Sequence, residues 1–93
     1  MKQSLSKNLA DELSIHYTRA LTAVMKAELV AAVAKAAKKR RLTHEELARR
    51  SGFSRSAVTG ILSGSLQKVT IDRVLRLVEA AGLVAKVRVR NVA

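Results

Sequence analysis

The segment Thr43–Gly64, THEELARRSGFSRSAVTGILSG, constrains the fold more than any other part of the chain. Thr43 and Glu46 stand in the T-x-x-E spacing of a capping box, which begins a helix at His44. Gly52 follows that short helix where a left-handed C-terminal residue is favoured. Ser54 then offers a second N-cap, and Ala57, Val58, Ile61 and Leu62 give the next helix an inner face. Two short helices meeting at a tight glycine turn are the helix-turn-helix plan. The outward residues of the second helix are Ser54, Arg55, Ser56, Thr59 and Ser63. A chain with 18 lysines and arginines places one of them there.

The flanks extend the helical reading. Leu5, Leu9, Leu13, Tyr17, Leu21 and Val24 recur every three to four residues, and a second stripe of Val30, Val33, Ala34 and Ala37 follows, so residues 5–40 read as helical. One long helix or two remain open; ordinary helix lengths favour two over one of about 35 residues. Lys38–Arg41 complements the dipole at a helix end, and a solvated basic end is its simplest reading. SGSLQK is a loop, and Thr70 caps a helix over residues 71–81 that Gly82 ends. In LVAKVRVRNV the period changes to two. Ala85, Val87 and Val89 alternate with Lys86, Arg88 and Arg90, which predicts a β-strand.

Composition then narrows the function. The chain has 93 residues, a net charge of +11, no cysteine and no proline. Disulfides and cysteine-bound zinc are excluded, and a reducing cytoplasm is the expected compartment. His16 and His44 lack metal-ligand spacing. No phosphate loop, HExxH or nucleophile–base grouping stands out, so no catalytic residue, metal or cofactor is expected. The charge favours a polyanionic partner, above all nucleic acid. A membrane surface is the competing partner, which the turn chemistry disfavours, and the apolar region VMKAELVAAVAKAAKK is too interrupted to span a bilayer.

The unit Thr43–Gly64 resembles the lambda-repressor-like, or Xre/Cro, DNA-binding domain. Leu47 and Ala48 match buried positions of its first helix, Gly52 its turn glycine, Phe53 the apolar residue after it, and Val58 and Ile61 the buried face of its recognition helix. The resemblance implies a mainly α bundle of 4–5 helices, here with an N-terminal helical extension over residues 1–24, a DNA-binding domain over 25–82 and a dimerisation strand over 83–93. Residues 27–93 are also similar to HigA-type antitoxins and related short Xre regulators. These often repress their own operons, and a toxin protein is a second partner that this similarity admits.

A recognition helix in the major groove presents its N-terminal residues to base edges. Arg55, Ser56 and Thr59 are then the base-reading residues, with Arg55 suited to two bonds to guanine; a phosphate contact is the alternative for Arg55. Gly60 leaves room either for DNA or for tight helix packing. Thr43, His44, Ser54, Ser63, Lys68 and Thr70 are the phosphate-binding candidates; for His44 a solvated first-turn residue is the alternative. Arg49 and Arg50 add general attraction or simply solvate their face. A lone strand leaves both edges unpaired, and a frayed basic tail is the alternative reading of this segment. Pairing of Ala85, Val87 and Val89 with a second copy, this face packed on the helices, would give a homodimer with recognition helices roughly 34 Å apart. The stripe over residues 1–24 packs on the domain, across the dimer or against a toxin. The chain is thus expected to be a non-enzymatic repressor that binds double-stranded DNA at a palindromic operator.

Overall fold

Four helices make up the regular structure of the described residues: α1 (Lys2–Arg40), α2 (His44–Ser51), α3 (Arg55–Leu62) and α4 (Ile71–Ala80). The computed structural model describes the backbone of residues 2–92 and the side chains of residues 13–92. Leu5 and Leu9 of the first apolar stripe lie outside the described side chains.

Residues 5–40 form part of one helix, not the two that ordinary lengths favour. No glycine or proline interrupts this stretch, and its alanine and lysine content supports helix throughout. The two apolar stripes of α1 do not share a face. At about 100° per residue, Lys26, Val30 and Ala37 cluster on the side of Val33, while Val24 lies about 180° and Tyr17 about 160° around from it. Burial follows this phase. Lys26, Val30, Val33 and Ala37 are buried, whereas Leu13, Tyr17 and Val24 are 61%, 68% and 54% exposed. Over residues 13–24, α1 thus carries its apolar stripe on the side opposite the core.

The core joins Val30, Val33 and Ala37 to Leu47 of α2, Val58 and Ile61 of α3, and Val74, Leu77 and Val78 of α4. Ala57, expected on the inner face, is only half-buried. Helix α1 ends with Leu42 N–H donating to Ala37 O at 2.8 Å and Arg41 N–H donating to Lys38 O at 3.3 Å, a paired closure of the last turn. Helix α2 ends at Gly52, with φ 79° and its N–H donating to Ala48 O. A side chain there would strain the backbone. Buried Ser51 fixes the same turn, its hydroxyl donating to Ala48 O and accepting from Phe53 N–H. At the C-terminal end of α4, Arg40 donates to Ala81 O at 2.7 Å, a cation against the negative end of the helix dipole.

The expected C-terminal strand is absent among the described residues, as residues 83–92 have no regular structure. Leu83 is tied back by its N–H to Val78 O. Beyond it Ala85 is exposed, Val87 and Val89 are 81% and 86% exposed, and this face does not pack on the helices. A strand exists only through hydrogen bonds to a neighbouring strand, and the described residues offer the tail no second strand.

Candidate nucleic-acid interface

The start of each of the three short helices is built by one hydroxyl. Thr43 Oγ1 accepts from Glu46 N–H at 3.0 Å, Ser54 Oγ from Ala57 N–H at 3.1 Å, and Thr70 Oγ1 from Arg73 N–H at 3.4 Å. Each cap spends a lone pair on the helix and keeps its proton to donate outward. All three residues are exposed. Three of the predicted phosphate ligands are therefore also the residues that start the helices.

The charges around these starts differ. Helix α2 has Glu45 and Glu46 in its first turn and α4 has Asp72, but α3 has no acidic residue. Its first position is Arg55, a cation where the dipole favours an anion. Arg55 is exposed and has no hydrogen-bond or ion-pair partner among the described residues. Arg49 and Arg50 are not free in this way. Both bond to Glu46, Arg50 through Nε at 3.0 Å. These bonds, Arg49 first, hold the Glu46 carboxyl below its usual range, and Glu46 in turn raises Arg49. The Glu46 carboxylate is thus engaged by arginines rather than reaching back to the cap as a full capping box would have it.

Along the outer face of α3, Ser56 and Thr59 are exposed. His44 Nδ1 lies 2.8 Å from Thr59 Oγ1, so the start of α2 is tied directly to the predicted base-reading surface. Which group donates depends on the imidazole tautomer. A shallow groove beside this pair is lined by Lys38, Leu42, His44, Thr59, Leu62 and Ser63. Lys38, read from sequence as a solvated helix end, therefore borders the same face. Ser63 lies at the far end of α3, where its hydroxyl donates to Gly60 O at 2.8 Å, so its proton is used within the helix. Gly60 is half-buried, and a Cβ built there meets nothing within 4 Å. Tight helix packing is thus not the reason for this glycine, although glycine costs a helix interior about 1 kcal/mol relative to alanine.

The loop after α3 supplies the last part. Lys68 and Thr70 are exposed on it. Lys26 of α1 reaches under it, its Nζ donating to Leu66 O at 2.7 Å and Val69 O at 2.9 Å. Sequence reading missed Lys26, although its phase with Val30, Val33 and Ala37 marks it as inward-facing. Phe53, the turn residue, is covered by Arg73 and Arg76, with guanidinium carbons 4.4 and 5.5 Å from the ring centroid, a cation–π arrangement that joins the turn to α4.

Among the described residues, no three histidine or acidic side chains come together as metal ligands, and no helix is long and apolar enough to cross a membrane. No curated protein and no solved structure matches the chain. The family model of the helix-turn-helix domain matches residues 9–90. Such domains bind DNA and are typically non-enzymatic. The two capped helices meeting at Gly52 are the motif itself, and with the match spanning nearly all of the sequence, the chain belongs to the helix-turn-helix domain family.

Proposed function

We propose that the protein is a sequence-specific transcription regulator, a repressor, that binds a palindromic operator as a homodimer with α3 in the major groove. The observation that carries this reading is the outer face of α3. It combines a free Arg55 with small Ser56, Thr59 and Gly60, on a helix whose first turn holds no acidic residue. A narrow helix with one long planar donor suits a groove better than a surface seeking bulk charge. Thr43, His44, Ser54, Lys68 and Thr70 then meet phosphates around it, with Ser63 at the rim.

Selection of bound sequences from random duplexes, followed by footprinting, tests the reading. Two half-sites about one helical turn apart are expected. Unselective recovery would overturn it, and a single half-site with a monomer mass in solution would overturn the dimer. In the dimer, Ala85, Val87 and Val89 of the exposed tail form the contact between copies.

Two substitutions probe α3. Arg55→Ala is expected to remove about 1–3 kcal/mol of discrimination at one base pair. Equal weakening on every sequence would instead make Arg55 a phosphate contact. Gly60→Ala is expected to raise stability by up to about 1 kcal/mol while weakening duplex binding. Thermal unfolding and titration on the same sample check the opposite signs.

One observation favours a second reading, an antitoxin that neutralises a protein toxin and autoregulates its operon. The exposed Leu13, Tyr17, Leu21 and Val24 leave α1 open to a protein partner over residues 13–24. Co-expression with the product of the adjacent reading frame tests it. A stoichiometric complex lost on Leu13→Glu with Tyr17→Glu supports the reading, and no complex refutes it.

A further inference from the structure

We propose that Lys26 is a positioning residue for the phosphate-binding surface: a buried ammonium that clamps the α3–α4 loop and sets where Lys68 and Thr70 meet the DNA backbone. The inference rests on the DNA-binding reading and assigns a role to a residue remote from the groove.

Lys26 is 8% exposed, although lysine is rarely buried without a partner. Neither ion pair of the described residues involves it. Its two bonds run to main-chain carbonyls 40 and 43 residues away. Those carbonyls belong to Leu66 and Val69, the ends of one turn, which Val69 N–H also closes onto Leu66 O at 3.1 Å. Gln67 and Lys68 form the tip of that turn. The ammonium therefore grips both ends of the segment whose tip carries Lys68, immediately before Thr70 caps α4.

Packing alone does not call for a lysine here. Lys26 continues the inward line of Val30, Val33 and Ala37, where an apolar side chain would avoid the cost of burying a charge. What an apolar residue lacks is a way to hold two carbonyls. Half-buried Leu66 and Val69 anchor the turn through their side chains, and Lys26 fixes its backbone. A preorganised loop spends less ordering entropy on binding than a loose one.

Lys26→Met keeps the stem and removes the ammonium. Affinity for the selected duplex is measured from 50 to 200 mM salt. The variant is expected to lose affinity evenly across sequences and to lower the log–log salt slope by roughly one to two units, while preference at the Arg55 base is kept. Lys68→Ala should lower the slope equally, and adding it to Lys26→Met should lower it no further. An unchanged slope in Lys26→Met, or losses that add in the double variant, overturns the proposal. The wild-type chain gives a check that does not depend on the variant folding. In the free protein the Val69 amide, which closes the turn onto Leu66 O, should already be protected from exchange, and exchange there at the rate of an open loop overturns the clamp. If the wild type shows no salt-sensitive, sequence-selective binding, the DNA reading itself has failed.

Discussion

Raising salt from 50 to 200 mM is expected to weaken operator binding by roughly 10³–10⁵-fold. The cations on the candidate interface are Lys38, Arg55 and Lys68, all exposed and none in an ion pair of the described residues. Doubled in a two-fold dimer, they fall within the range of about 6–10 phosphate contacts for which that loss is typical. Each contact releases condensed counterions, and the gain from release shrinks as bulk salt rises. Arg49 and Arg50 contribute less, because Glu46 already engages them. Titrating a fluorescent duplex at four or five salt concentrations gives the slope directly. A flat response would remove phosphate contact as the source of affinity and the DNA reading with it.

Leu47→Ala is expected to cost about 2–5 kcal/mol of folding stability. Leu47 is fully buried at the centre of α2, in the same cluster as Val33, Val58 and Leu77. Truncation leaves a cavity in the core cluster to which all four helices contribute. A domain of this size has only about 5–15 kcal/mol in total. The midpoint of thermal unfolding should therefore fall by roughly 10–30 °C. Binding offers a second readout. Duplex at 100 times its dissociation constant stabilises the folded state by about 2.7 kcal/mol, so saturating operator should recover much of the lost midpoint. A fall of only a few degrees would mean that α2 is not held by this core. A full fall without recovery would mean that the folded state is not the one that binds.

The helix-turn-helix unit was legible because its signals are local. The three capping hydroxyls Thr43, Ser54 and Thr70 make the bonds expected of them, and Gly52 takes the left-handed backbone its position requires. Capping and turn chemistry act within four residues, so sequence spacing is enough to locate them. The inner positions Leu47, Val58 and Ile61 were legible for the related reason that a short helix has one buried face.

Other features were not local. The N-terminal stripe of α1 could be read as packing on the domain, across a dimer or against a toxin, because periodicity shows that a face exists and not what covers it. Only the three-dimensional phase shows that Tyr17 and Val24 point away from Val33. The C-terminal alternation suggested a strand, yet a strand depends on a neighbour that one chain does not supply. Gly60 was ambiguous until the empty space around its Cβ position removed helix packing as an explanation.

The sequence by itself determined the two capped helices, their glycine turn, the small outward face with its one arginine and the excess of positive charge, because each rests on short-range geometry or on simple composition. Tertiary structure alone decided which side of α1 is buried, that the tail lies uncovered, that His44 meets Thr59, and that Lys26 holds the loop before α4. Those contacts join residues 15 to 43 positions apart, a distance at which no local spacing rule operates and only the packing of the helices brings the groups together.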